Sequence, residues 1–425
     1  MNNNAWIGID LGTSGCRAIA IDATAKIIAQ SQQPLANTFS TPPCSEQNPD
    51  THWQLVKQVL QQLTAQCQGF EIKAIAVDAT SGSILITDHQ GKPLTPIIMY
   101  NDSRAVEQSK TIADLAPAHS GAHGASSGLA KLLHAQQHAE LPSGFKLLHQ
   151  ADWLNFKLGA SLGITDENNA LKTGYDPVNR SWPDWLDSVT DRTVLPDVVL
   201  PGTMIGQLST QLCGDLNLNT VPDIIAGTTD SIAALIATGA HEIGDAVTSL
   251  GSTLVVKLIS DKPVFLPEQG VYSHRLGDKW LVGGASNSGG AVLRHFFNDK
   301  QIQQFSEHIS VKAATADFYP LLSPGERFPV NDPNFQPRLT PRPSSNVEFL
   351  HGLLNGIAKI EKQAYHCLQQ AGASSLNSIR TVGGGAGNQI WQTIRQQHIK
   401  VPFIKPEHTE AAYGVARIAQ GITLT

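Results

Sequence analysis

Residues Trp6–Asp22 read WIGIDLGTSGCRAIAID. Two apolar runs, IGID and CRAIAID, flank a small polar turn, Leu11-Gly12-Thr13-Ser14-Gly15. Such runs, separated by Gly, Ser and Thr, predict a β-hairpin. The turn has the chemistry of a phosphate cradle. Gly12 and Gly15 permit positive φ and close backbone approach, successive N–H groups form an anion-binding concavity, and Thr13 and Ser14 add hydroxyl donors. Asp10 is the odd member, because a carboxylate beside a phosphate repels it unless a cation lies between. It reads as a holder of hydrated Mg²⁺, which keeps several waters and one or two carboxylates. An ordinary hairpin whose Asp caps its own turn accounts for the same residues, and one Gly-rich turn does not choose between the two readings.

The chain around this hairpin has 425 residues, which predicts about two or three domains and ample length for large cores. Hydrophobic residues make up 41% and charged residues 16%, the balance of a globular protein. A formal net charge of −6 argues against a nucleic-acid partner or an anionic membrane. The 15 histidines are scattered, without the close pairing of a metal site. The five cysteines, at 16, 44, 67, 213 and 367, are odd in number, widely spaced and free of CxxC, which predicts a reduced, cytoplasmic setting. The opening MNNNAW has neither a basic nor an apolar signal region. No run of about 18 apolar residues occurs to span a membrane; SIAALIATGA is short and broken by Thr238 and Gly239.

After the hairpin a third strand is expected at Lys26–Gln33, then a Pro-rich loop, then a helix over THWQLVKQVLQQLTAQC. Trp53, Val56, Leu60 and Leu63 fall at helical spacing there, with Asp50 or Thr51 as N-cap. Ile72–Asp78 (IKAIAVD) reads as a buried strand, and ILITD as another. This β-β-β-α-β order is not the strict alternation of a doubly wound dinucleotide fold. Residues 105–225 are less legible. Ala116–Ala130 reads as a loop, ADWLNFKLG as a short helix closed by Gly159, and Trp182 and Trp185 as pocket walls or packing tryptophans. At Asp223–Gly239 (DIIAGTTDSIAALIATG) a strand runs through GTTD into a helix carrying Ile232, Leu235 and Ile236. Asp230 thus lies at a helix start, a position that suits a cap and equally an ionised general base.

The second half repeats the first. Asp245–Ile259 is again strand, Gly/Ser/Thr turn, strand, with Leu250-Gly251-Ser252-Thr253 echoing Leu11–Ser14. Trp280–Gly284 adds a strand, Asn346–Ala371 a long helix, and Ser378–Val382 a strand opening onto GGGAGN and the helix QIWQTIRQQ. A strand VPFIKP and a helix over His408–Gln420 end the chain. A period this long means two duplicated domains, not a solenoid.

Four motifs carry a resemblance: IGIDLGTSGCRA, AGTTDSIAAL, VTSLGSTLVV with GGASNSGGAVLRHF behind it, and VGGGAGNQIWQ followed by TEAAYGVARIA. In that order and across nearly the whole chain they resemble the FGGY carbohydrate kinases, of the superfamily of hexokinase, actin and the heat-shock ATPases. The resemblance implies an α/β protein of two ribonuclease-H-like domains with an ATP cleft between them. The domains would be 1–236, on the sugar side, with the 408–425 helix returning to it, and 237–407, on the nucleotide side. It implies Asp230 as catalytic base and Asp10 as metal-associated carboxylate, Mg²⁺ being held by Asp10 and Asp230. Gly12, Thr13 and Ser14 would contact phosphates, as would Gly251, Ser252 and Thr253 in the second loop. Gly384 and Asn388 would flank the adenosine, and Gly290 would line the nucleotide pocket. The final helix, with Ala411, Ala412, Val415 and Ile418 on one face, would pack closely on the first domain.

The acceptor rests on two further likenesses. MYNDSRA resembles the WNDxR segment of xylulokinases, which implicates Asp102. AVDATSGSILITD lies where those enzymes carry a sugar-binding histidine, a position held here by Ser81. A ketopentose is therefore implied, D-ribulose ahead of D-xylulose or another polyol, since short forms of the family are associated with ribulose and this chain is short for the family. The other class of reading is a sugar-independent ATPase or nucleotide-gated binding protein on the same fold. A monomer or homodimer acting on a small-molecule sugar, with no nucleic-acid or membrane partner, completes the expectation.

Overall fold

The computed structural model of the chain describes residues 3–35, 39–310 and 316–422. The chain divides into two compact units, Met1–Ala237 with His408–Thr425, and Thr238–Glu407. The first begins with β1 (Asn4–Gly12), β2 (Gly15–Asp22), β3 (Ile27–Pro34), β4 (Phe39–Thr41), β5 (Cys44–Gln47), α1 (Pro49–Gln66), β6 (Glu71–Ala79), β7 (Ile84–Thr87) and β8 (Ile97–Ile98). It continues through α2 (Val106–Leu115), α3 (Gly128–His138), β9 (Lys146–His149), α4 (Gln150–Leu158), β10 (Ile164–Asp166), α5 (Glu167–Ala170), β11 (Asp197–Val199), β12 (Met204–Gln207), α6 (Thr210–Asp215), β13 (Asp223–Ile225) and α7 (Asp230–Ala237). The second comprises β14 (Asp245–Leu250), β15 (Leu254–Ser260), β16 (Tyr272–Leu276), β17 (Lys279–Ser286), α8 (Gly290–Phe296), α9 (Asp299–Ser306), α10 (Asn346–Gln370), β18 (Ser378–Val382), α11 (Gln389–His398) and β19 (Phe403–Ile404). Helix α12 (Ala411–Ala419) ends the chain and belongs to the first unit.

Each unit is built on a six-stranded sheet, in the orders β12-β13-β6-β1-β2-β3 and β16-β17-β15-β14-β18-β19. Both contain the same core. Three strands pair antiparallel in succession, β1-β2-β3 in one unit and β14-β15-β17 in the other, and two strands then extend the sheet parallel to the first, β6-β13 and β18-β19. This is the ribonuclease-H-like plan, and the α/β fold class read from the sequence holds. The parallel strands bring their carboxyl ends to one edge of the sheet, where ligands of open α/β sheets bind. Strand β6 is buried without a break from Ala74 to Ala79, because it lies in the middle of the sheet with helices on its faces.

The detail departs from the sequence reading in several places. Asn48, not Asp50 or Thr51, caps α1, accepting from the Asp50 and Thr51 N–H groups at 2.8 and 3.3 Å. Pro49 takes the first helical position, where its missing N–H costs nothing, and the cap therefore lies at Asn48, two residues before Asp50. The stretch read as loop to Ala130 yields to α3 at Gly128, capped by Ser127. Helices α2 and α3 pack with the separate sheet β4-β5-β8-β7-β9 around their own apolar cluster. Trp182 and Trp185 pack against that cluster, and the Trp182 indole donates to the Pro196 carbonyl at 3.1 Å; they are packing residues. Gly159 closes α4 at φ 131, as expected. Helix α12 is narrower than His408–Gln420 and is buried on more than one face, Ala412 to Ala416 all being buried. No described helix is long and apolar enough to cross a membrane.

Candidate active site

In the first unit the hairpin β1–β2 closes over the two-residue turn Thr13-Ser14, with Gly12 opposite Gly15. Neither glycine has positive φ, so the conformational reason expected of them is not the one at work. Gly15 is required by close approach: a Cβ there would lie 2.7 Å from the Gln33 carbonyl oxygen. At Gly12 the nearest atom to such a Cβ is 3.8 Å away, so its face of the turn is open to a ligand. The Ser14 carbonyl accepts from Leu35 N–H at 2.9 Å and the Thr13 carbonyl from Gln47 Nε2 at 3.1 Å. Both carbonyls of the turn are thus engaged by the strand and side chain behind it.

Three adjacent parallel strands lead to three aspartates. Asp10 ends the apolar part of β1, Asp78 lies beside it in register near the end of β6, and Asp230 opens α7 just beyond β13, where Thr229 bridges to Ala79. Burial, and next the charge of Asp230, push the Asp10 carboxyl up to about 6, against a hydrogen bond from Asp78 and the charge of Arg17. Burial, and next the charges of Asp10 and Asp230, hold Asp78 far above the usual carboxylate range. Asp78 is fully buried and neither of its oxygens meets an N–H or O–H donor. A proton on Asp78 donated to Asp10 satisfies both groups, as like charges at one site require. Asp230 Oδ1 accepts from Ser231 N–H at 2.6 Å at the helix start. Sequence reasoning did not single out Asp78. The signal was present, since IKAIAVD ends in a carboxylate after an apolar run as IGID does.

Ser81 lies in the turn after β6 and its hydroxyl is buried without a hydrogen-bond partner. Two ammonium groups hold the carbonyls of the same turn, Lys131 on Gly82 at 2.8 Å and Lys172 on Ser81 at 3.2 Å. Asp102 is buried and is engaged by its own surroundings: Ser45 N–H donates to it at 2.7 Å and Arg104 grips both oxygens. Arg104 also reaches Glu46 at 2.7 Å. Hydrogen bonds from Arg104 and Ser45 hold the Asp102 carboxyl below the usual range even though burial opposes them. The structure therefore shows Asp102 organising the β5 end and Arg104.

In the second unit Gly251, Ser252 and Thr253 link β14 to β15. The start of α8 docks on this loop, the Gly290 and Ala291 N–H groups donating to the Gly251 and Ser252 carbonyls at 2.9 and 3.0 Å. A Cβ at Gly290 would lie 2.6 Å from the Gly251 carbonyl oxygen, so the contact needs glycine. Arg294 donates to the Ser252 hydroxyl at 3.0 Å. Asn388 caps α11, accepting from Trp391 N–H at 3.0 Å, and donates to the Ser306 hydroxyl at 2.9 Å. Gly290, Gly384 and Asn388 line one cavity of about 640 Å³, with Leu293, Ile302 and Ile390 as apolar walls. Side chains added at Gly384 or Gly387 would meet nothing within 4 Å. A concave, partly apolar site of this size with a few polar groups suits a nucleoside.

Among the described residues no three His, Cys, Asp or Glu side chains group as a metal site. Asp10 and Asp230 nevertheless suit Mg²⁺, which binds through one or two carboxylates and keeps its waters. Their mutual repulsion, visible in the raised Asp10, is what a cation would offset.

Residues 5–237 match the N-terminal domain of the FGGY family of carbohydrate kinases, and residues 246–420 its C-terminal domain. The xylulose kinase of Escherichia coli K12 is 26% identical over 98% of this chain and 89% of its own length. The gluconokinase of Bacillus subtilis 168 is 21% identical over 96% and 85%. A crystal structure titled as a xyloylose kinase from Brucella ovis superposes with a TM-score of 0.89, covering 99% of this chain and 92% of its own, at 24% identity.

Proposed function

The chain belongs to the FGGY family of carbohydrate kinases and is a sugar kinase, and we propose that its acceptor is a ketopentose, phosphorylated on its terminal hydroxyl with ATP as donor. The observation that carries this reading is Asp230 at the start of α7, beside Asp10 at the carboxyl ends of the central strands. Asp230 accepts the proton of the sugar hydroxyl as that oxygen attacks the γ-phosphorus and the bond from phosphorus to the β,γ-bridging oxygen breaks, releasing ADP. The backbone and hydroxyls of Gly12, Thr13 and Ser14 are the phosphate-contacting groups of the first unit, and those of Gly251, Ser252 and Thr253 the phosphate-contacting groups of the second. Gly290, Gly384 and Asn388 hold the adenosine. Asp10 and Asp230 are the residues that would hold Mg²⁺, which when bound neutralises charge on the phosphoryl oxygens. The buried Ser81 hydroxyl lies where the xylulokinases resembled here carry a histidine, which supports D-ribulose ahead of D-xylulose; Asp102 acts on the sugar by placing Arg104 and the β5 end.

ADP release measured with D-ribulose, D-xylulose, D-gluconate and glycerol tests the acceptor. D-Ribulose is expected to give the largest kcat/KM, and a larger value with gluconate or glycerol would overturn the ketopentose reading. Asp230→Ala is expected to lower sugar-dependent turnover by the roughly 10²–10⁴-fold typical of a lost general base. Turnover near wild type in that variant would remove Asp230 from the role. Sugar-independent ADP release equal to the sugar-dependent rate would favour an ATPase instead.

A further inference from the structure

A line of buried polar groups joins the Thr80–Ser83 turn to the Thr13–Ser14 turn. Tyr100 N–H donates to Ser83 Oγ at 2.9 Å, and Ser83 and Thr80 hydroxyls meet at 2.6 Å. Thr80 donates to Gln150 Oε1 at 2.7 Å. Gln150 Nε2 meets His52 Nδ1 at 3.3 Å, His52 Nε2 meets Gln47 Oε1 at 2.7 Å, and Gln47 Nε2 donates to the Thr13 carbonyl at 3.1 Å. The side chains between the ends come from β5, α1, the turn after β6, and α4, yet Gln47, His52, Thr80, Ser83 and Gln150 are each at most 5% exposed.

The two ends of this line are backbone groups of fixed polarity, a donor at Tyr100 and an acceptor at Thr13. Every group between them is thereby oriented. Ser83 donates to Thr80, because Thr80 gives its only proton to Gln150. Gln150 donates to His52 Nδ1, so the imidazole proton is on Nε2 and points at Gln47. Burial holds the His52 imidazole down at about 4, and a neutral ring is the only form with an acceptor at Nδ1. No member can reverse without leaving a buried donor facing a donor, a defect of about 1–3 kcal/mol. The line has two arrangements, intact or broken, and both turns bias it.

We propose that His52 is a positioning residue that couples the sugar-side turn at Thr80–Ser83 to the phosphate turn at Thr13–Ser14, so that a ligand at either turn raises affinity at the other. The coupling rests on the kinase reading above, but one arm of its test does not need the sugar. His52→Asn places an amide oxygen where Nδ1 was and keeps the Gln150 bond, while losing Gln47. His52→Gln places an amide nitrogen where Nε2 was and keeps the Gln47 bond, while losing Gln150.

Calorimetric binding of Mg²⁺ with a non-hydrolysable ATP analogue, and of D-ribulose, each alone and each with the other saturating, reads both effects. The wild type is expected to show mutual tightening within the range of about 5–150-fold seen for coupled sites, and both variants to show none. With the analogue alone, His52→Asn is expected to bind several-fold more weakly and His52→Gln to match the wild type. A His52 that only supports the fold would shift melting temperature and both affinities alike in the two variants, and that result overturns the proposal. So does mutual tightening that survives in both. If no ketopentose binds the wild type, the acceptor reading fails, and the difference between the variants toward the analogue alone still decides whether His52 holds the phosphate turn.

Discussion

Asp78 has the most unfavourable setting of any carboxyl in the first unit. It is wholly buried, lies against Asp10, and has no donor among its neighbours. Its folded state therefore retains a proton that the unfolded chain releases near the ordinary value of 3.8, and Asp10 does so up to about 6. Proton retention by the folded form stabilises it fully below the unfolded value, and the contribution is lost as pH rises through the folded values. In Mg²⁺-free buffer the urea midpoint of the wild type is expected to fall as pH rises from about 4 through about 6. Asp78→Asn, which keeps the shape and a donor toward Asp10 while removing the buried charge, is expected to fall less over the same interval. An identical fall in both proteins would show that Asp78 does not titrate as described.

At the scale of elements, α12 is held by two glycines. Gly8, in the middle of β1, lies under the backbone of Ala412 and Ala416, and Gly414 lies against the Ala233 carbonyl of α7. A Cβ at either position would collide with backbone, which cannot rotate away as a side chain can. Small residues at a crossing let two elements approach closely, and overpacking such a contact costs about 1–3 kcal/mol or more. Gly8→Ala and Gly414→Ala are each expected to lower the unfolding free energy by at least that amount, measured by urea denaturation. Gly69→Ala serves as the reference, because at that exposed turn a Cβ would meet nothing within 4 Å although φ is 86. Gly414→Ala no more destabilising than Gly69→Ala would contradict the close crossing. The same helix buries Val415 and Ile418, so its sequence of small and branched residues serves contact with β1 and α7 together.

For the whole molecule, each unit has cores of its own: the clusters under β1, β6 and α1 and around α3 in the first, and those around α10, β15 and Trp391 in the second. Units with separate cores open separately, and a ligand protects the unit that binds it. ADP alone is expected to slow hydrogen exchange in residues 383–391 and at the start of α8, around the cavity that holds Gly384 and Asn388. D-Ribulose alone is expected to slow it in residues 78–83 and at the start of α7. At a ligand concentration about 100 times Kd the slowing corresponds to about 2.7 kcal/mol of added stability. Protection by ADP confined to residues 78–83 would refute the assignment of the nucleoside to the second unit.

The sequence by itself determined the repeated hairpin-helix-strand plan, because apolar runs and Gly/Ser/Thr turns are local patterns, readable at Ile7–Ile21 and again at Ala246–Leu258. Asp10 at the end of an apolar run and Asp230 at a helix start are local patterns too, whereas Gly290, Gly384 and Asn388 are singled out only through the family resemblance. What it left open depended on partners distant in the chain. Asp78 is a routine strand-end residue until β6 pairs in register with β1 and brings it against Asp10. Asp102 looks free until packing brings the Ser45 N–H to it from 57 residues away. Gly12 and Gly15 suggest positive φ, whereas the fold uses one for an open face and the other for contact with β3. His52, Thr80 and Gln150 are separated along the chain by 28 and then 70 residues, and only the packing of α1 and α4 against the β6 turn makes them one line of hydrogen bonds. A buried polar group is specified by what satisfies it, and that partner is chosen by the tertiary fold, because the chain neighbours of these residues do not supply it.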